Sequence, residues 1–128
     1  MLFRFSRFLF EVFIRVCFSP KFYGRENVPE SPYVVVANHI SLLDPPLAGI
    51  ACKKNDLDFM AKKELFDKPI LGTWTRNVNC IRVDRDSNSI QSLKEVIARL
   101  KKGRSVGIFP EGTRSEDGDF KEAKRGVG

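Results

Sequence analysis

Two short apolar runs constrain this chain more than anything else in it. Tyr33-Val34-Val35-Val36-Ala37 and Val106-Gly107-Ile108-Phe109 are rich in β-branched or bulky residues and too short for helices. Neither alternates with polar residues, so each reads as a strand buried on both faces, the pattern of a sheet covered by helices. Each run also stops abruptly in a loop dense with polar chemistry. A chain built this way is expected to fold as α/β and to carry its site at strand ends.

The remaining elements fit that class. Strands are predicted over 57–61 and 79–83, and short helical pieces over 63–66 and 69–75. The clearest helix runs over 89–102, where Ile90, Leu93, Ile97 and Leu100 recur at helical spacing. Ser87 or Asn88 is its expected cap, Gly103 its stop, and the apolar stripe its core face. With 128 residues there is room for one domain. The expectation is a mixed sheet with flanking helices over 20–128, preceded by a separate helix over 1–19. Cys17, Cys52 and Cys80 are scattered and odd in number, which fits neither a disulfide framework nor a zinc site.

Residues 1–18 are mostly Leu, Phe, Val and Ile, interrupted by Arg4, Arg7, Glu11 and Arg15. At about 100° per residue these charges fall in one narrow stripe, and nearly all the rest of the helix surface is apolar. No apolar run approaches the ~20 residues that a membrane span needs. The pattern predicts an amphipathic helix lying in a membrane interface, its Phe-rich face among acyl chains and its Arg stripe among anionic headgroups. The alternative is a helix packed on the protein's own core. Residues 1–25 hold five basic side chains against Glu11 alone, four of the six net positive charges. Much of the excess base is thus tied to the apolar helix, no recognition motif accompanies it, and no nucleic-acid partner is expected.

His39 is the only histidine, and Asp44 follows five residues later. On a continuous helix the two would point about 140° apart, so they meet only if the chain turns back. Their position supports a turn. His39 follows a predicted strand, and Asp44-Pro45 reads as the N-cap and first residue of a helix. His39 is then the first choice for proton transfer at neutral pH, with Asp44 as its partner or as a cap only. In the second loop, Gly112 lets the backbone approach a ligand closely. Thr113 and Arg114 suit a phosphate through a hydroxyl and a guanidinium fork. The alternative there is a Pro-Gly surface turn with a solvated Arg.

Together, Asn38-His39-Ile40-Ser41-Leu42-Leu43-Asp44 and Phe109-Pro110-Glu111-Gly112-Thr113-Arg114-Ser115 resemble the glycerolipid acyltransferase family. Its signature is an NHxSxxD block followed by FPEGTRS. The segment 72–85 is similar to the block between them, where a Gly leads to a strand carrying an Arg, and 59–66 also looks like the family. The resemblance implies transfer of a fatty acyl group from acyl-CoA or acyl-carrier protein to the sn-2 hydroxyl of lysophosphatidate. It implies a peripheral enzyme on the cytoplasmic face of the membrane, with no cofactor or metal. His39 would be the general base, and Asp44 would fix the imidazole tautomer. Arg82 and Arg114 would hold the acceptor phosphate, with Lys62 as a third candidate. Glu111, Gly112 and Thr113 would form the glycerol-phosphate loop, Glu111 bonding a hydroxyl or orienting Arg114. Ser41 is expected to be structural, because transfer in this family is direct.

Family members carry a further Pro-rich apolar block after a segment like 120–128, and this sequence ends at Gly128. The acyltransferase domain over 20–128 is therefore expected to be incomplete. Two alternatives stay open: another acceptor such as glycerol-3-phosphate or another lysolipid, and a non-catalytic membrane-binding fragment.

Overall fold

The structure is a computed structural model that describes residues 2–52, 57–84 and 90–123. The chain runs α1 (Leu2–Phe18), a turn of 3-10 helix (Arg25–Asn27), β1 (Val34–Val36), α2 (Asp44–Ala51) and β2 (Leu57–Lys62). It continues through α3 (Lys63–Phe66), α4 (Pro69–Asn77), β3 (Ile81–Val83), α5 (Ile90–Lys101) and β4 (Ser105–Ile108). The strands form one sheet in the order β1-β4-β2-β3. The α/β class and the flanking helices are as expected. The sheet is not mixed: each described pair of neighbouring strands is parallel. A helix separates each described strand from the next, so the chain returns to the same end of the sheet before pairing again.

α5 packs on β3 and β4, and α3 on β2 and β3. With the usual right-handed crossovers, this strand order places α5 on one face and α2, α3 and α4 on the other. On the α5 face, Ile81, Val96 and Val106 are buried together, with Met60, Leu100 and Ile108 packed around them. The same face holds a charge. Asp58 is fully buried and accepts from Arg99 Nη1 at 2.8 Å, from Arg104 Nε at 2.6 Å and from Arg104 Nη2. This triad ties the end of α5 and the entry to β4 onto β2, and nothing in the sequence reading singled it out. On the opposite face the Phe59 ring lies over Gly107. A Cβ on Gly107 would stand 2.2 Å from Phe59 Cε1, so only glycine fits beneath that ring.

Two buried surfaces expected from the sequence turn out exposed. β1 is an edge strand, with Val34 42 % and Val36 53 % accessible, whereas Val106 and Gly107 of β4 are buried as expected and Ile108 and Phe109 are partly buried. In α5 the sheet-facing residues are Ser92 and Val96, and Ile90, Leu93 and Ile97 are exposed. The helix is turned by two long-range contacts, Val96 against the Ile81–Val106 cluster and Arg99 against Asp58. Its apolar stripe therefore flanks the interface instead of filling it. Gly103 ends the helix with φ +76°, as expected. The expected cap at Ser87 or Asn88 lies outside the described residues.

α1 packs against α2 through a narrow seam, where Ile14 is buried. Phe5, Phe8, Leu9, Val12, Phe13 and Val16 face outward. Arg15 pairs with Glu11 at 2.9 Å one turn away. None of the described helices is long and apolar enough to cross a membrane.

Candidate active site

The loops after β1 and β4 leave from the carboxyl ends of two neighbouring parallel strands, the usual place for a site in such a sheet. In the first loop the chain does turn back. Asp44 Oδ2 accepts from the Ile40 N–H and the Ser41 N–H, each at 2.7 Å, and stands 3.0 Å from His39 Nδ1. Asp44 was expected as the N-cap of α2. It is instead the first helical residue, and Leu43 occupies the cap position without a side-chain bond. The carboxylate reaches backward over the loop, because the imidazole and two amides converge there. Ser41 Oγ accepts from the Leu43 N–H at 3.1 Å, which tightens the same turn and fits a structural role.

Burial opposes ionisation of Asp44. The bonds from the Ser41 N–H, the His39 ring and the Ile40 N–H outweigh it and hold the carboxyl below its ordinary value of 3.8. At neutral pH the group is therefore a carboxylate, which only accepts hydrogen bonds. Its contact with Nδ1 then requires the proton on Nδ1. That leaves Nε2 with the lone pair in the neutral ring, the tautomer a general base needs. The pair is sheltered but reachable, with side chains 17 % and 23 % exposed.

The second loop grips the first. Glu111 is buried, and its Oε1 accepts from the His39 N–H at 3.2 Å, while Oε2 accepts from the Lys121 N–H at 3.4 Å. The Ser115 N–H donates to the His39 carbonyl at 2.8 Å. Glu111 was expected to bond a hydroxyl or orient Arg114. In the structure both of its carboxylate oxygens accept from backbone N–H groups, which holds the chain at His39. Gly112 sits at φ +68° and donates to the Phe109 carbonyl at 3.0 Å, a conformation that favours glycine. The His39 ring stacks on Phe109, with centroids 4.3 Å apart and planes 23° apart.

The expected phosphate ligands are not all brought together. Register places Arg82 beside Ala61, on the Phe59 face of the sheet, with its guanidinium 6.0 Å from the Phe66 ring centroid. The same register puts Phe109, just past β4, level with Ala61. Arg82 is thus about two strand spacings, roughly 10 Å, from the backbone of Phe109, across a small side chain. Lys62 follows Ala61 and so projects from the opposite face. Thr113 and Arg114 are exposed on the second loop, and the Arg114 carbonyl accepts from Lys121 Nζ at 3.0 Å. Lys63 pairs with Asp84 at 2.8 Å at the end of β3. No group of residues able to hold a metal ion is found among the described residues.

Residues 19–128 match the family model described as Acyltransferase. The chain is 36 % identical over 98 residues to the 1-acyl-sn-glycerol-3-phosphate acyltransferase of Bacillus subtilis (strain 168), covering 76 % of this chain and 49 % of that protein. It is 38 % identical over 110 residues to the chloroplastic 1-acyl-sn-glycerol-3-phosphate acyltransferase LPAT1 of Arabidopsis thaliana, covering 81 % and 30 %. Among solved structures, the 1-acyl-sn-glycerophosphate acyltransferase PlsC from Thermotoga maritima shares the fold with a TM-score of 0.65 and 39 % identity, over 80 % of this chain and 40 % of that one. The chain spans about half the length, or less, of these relatives.

Proposed function

The chain belongs to the acyltransferase family, and from that premise we propose that it moves a fatty acyl group onto the sn-2 hydroxyl of lysophosphatidate to make phosphatidate. The observation that carries the proposal is the His39–Asp44 pair, closed at 3.0 Å across a loop whose backbone is held from the second signature loop. In this reading Nε2 of His39 takes the proton of the acceptor hydroxyl as its oxygen attacks the thioester carbonyl of acyl-CoA or acyl-carrier protein. The imidazolium is stabilised by the Asp44 carboxylate and returns the proton to the leaving thiolate. A base of this kind is worth about 10²–10⁴ in rate. Arg82 and Arg114 bind the acceptor phosphate, with Thr113 beside Arg114.

The same reading places α1 on a lipid surface. A row of Phe, Leu and Val side chains exposed on one helix is more apolar area than a small domain leaves in water. Arg4 and Arg15 are also exposed and suit anionic headgroups. The site is then supplied with lysophosphatidate from the cytoplasmic leaflet.

The test is acyl transfer from acyl-CoA and acyl-carrier protein to lysophosphatidate on anionic vesicles, beside His39→Ala and Arg114→Ala. Transfer lost in His39→Ala, with KM for the acceptor raised far more than KM for the donor in Arg114→Ala, supports the proposal. Vesicle binding without any transfer would make the chain a non-catalytic membrane-bound fragment.

A further inference from the structure

The bond to Asp44 fixes one atom of the His39 ring and leaves its plane to be set by something else. The terminal torsion of histidine is broad, so a single in-plane contact does not hold the ring against rocking. The second constraint is the stack on Phe109. Phe109 in turn stacks on Phe59, with centroids 5.9 Å apart and planes only 16° apart. Phe59 is seated over the bare backbone of Gly107, where a Cβ would come within 2.2 Å of Cε1 and 2.6 Å of Cδ1. Three rings therefore run in nearly parallel planes from the sheet floor to the imidazole. Phe109 is also tied at its carbonyl by the Gly112 N–H.

We propose that Phe109, backed by Phe59 over Gly107, is a positioning residue that sets the plane of the His39 ring for proton transfer. The inference rests on the acyltransfer reading for its consequence in rate, but not for its geometry. An aromatic face suits the task better than an aliphatic chain of equal volume. It matches the imidazole in shape, and its negative face meets the positive charge that the ring gains when it takes the proton. Gly107 is the floor of the column: a methyl group there pushes Phe59, Phe59 pushes Phe109, and the base tilts. Misplacement of a reacting group by about 1 Å is enough to cost ~10²-fold.

The experiment uses the full chain and the fact that His39 is its only histidine, so its ring protons and nitrogens give one set of NMR signals. In the unsubstituted chain the His39 ring protons should lie upfield of those of a free histidine, shifted by the Phe109 ring current. Phe109→Leu should return them downfield and lower kcat about tenfold, leaving KM for the acceptor within about twofold. Gly107→Ala should move the signals the same way, and Phe59→Leu less. Phe109→Tyr should recover both the shift and the rate. Ring protons without an upfield shift in the unsubstituted chain would overturn the proposal whether or not any variant folds. So would a folded Phe109→Leu chain with unmoved signals. If the chain transfers no acyl group, the NMR readout still decides the column, and only the acyltransfer reading fails.

Discussion

Two aspartate side chains each gather three contacts, and their partners differ in kind. Asp58 is fully buried and held by two guanidiniums, Arg99 and Arg104. Those partners stay charged throughout the accessible pH range, so the triad has one state and serves as a lock between β2, α5 and β4. Asp44 is partly exposed and is held by two amides and an imidazole. The amides fix its place, and the third bond ties it to the imidazole that the proposed mechanism uses as its base. The same side chain is thus a fixture between two guanidiniums and, in the proposed mechanism, a working part beside an imidazole.

Exchanging each carboxylate for its amide should separate the two roles. Asp44→Asn keeps an oxygen that can accept from the loop N–H groups but removes the negative charge beside the imidazole, and the rate of acyl transfer should fall by about 10²–10⁴ with little loss of stability. Asp58→Asn should do the reverse. It leaves Arg99 and Arg104 around a neutral amide, and breaking a buried pair costs about 3–5 kcal/mol, visible as a lower Tm. Transfer per folded molecule should stay within about twofold. If Asp58→Asn lost rate and kept its Tm, the distinction between lock and working part would be wrong.

The acid limb of the stability curve sharpens the same contrast. Folding holds Asp44 below its ordinary 3.8, so its contribution is complete above pH 3.8 and is lost as pH falls through the lower folded value. A Tm scan from about pH 5 to about pH 2 should therefore be shallower for Asp44→Asn than for the unsubstituted chain. Parallel curves would mean that the loop amides and imidazole do not favour the carboxylate.

The smallest effect concerns the neighbourhood of the lock. Burial, and then the negative charge of Asp58, push the Cys80 thiol up to about 11. Cys17 is exposed on α1. A thiol reagent at about pH 8.5 should modify Cys17 well before Cys80, and unfolding should erase the difference. Equal rates in the folded chain would show that the region beside Asp58 is open to water.

The two signature loops were legible because most of their bonds are local. Asp44 binds residues three to five positions before it, and the turn that brings them together is written in Asn38 to Asp44. The helix stop at Gly103 and the strand character of Val106 were legible for the same reason. The face of α5 was not. Ile90, Leu93 and Ile97 keep a helical period that matches a core face, yet the helix is rotated so that Ser92 and Val96 meet the sheet. Periodicity shows that a helix has a stripe, and only the packing partners show which stripe is covered. β1 gave the same lesson. Three valines read as buried, but as an edge strand β1 pairs on one side with β4 alone among the described strands. Asp58 left one faint signal, a single acid inside an apolar strand. Phe59 and Phe109 left none that separates a positioning ring from ordinary core.

What the sequence by itself determined is the set of short-range structures: an α/β alternation, an apolar N-terminal helix, and a turn that closes His39 onto Asp44. Their energies come from residues a few positions apart, so they are specified wherever those residues occur. Tertiary structure alone decided the partners of Glu111, which lies 72 residues from His39, and of Arg104, which lies 46 residues from Asp58. It also decided the ring column and the parallel register beneath it. Such contacts exist only after β4 has inserted between β1 and β2, because nothing nearer in the chain brings those groups within bonding distance.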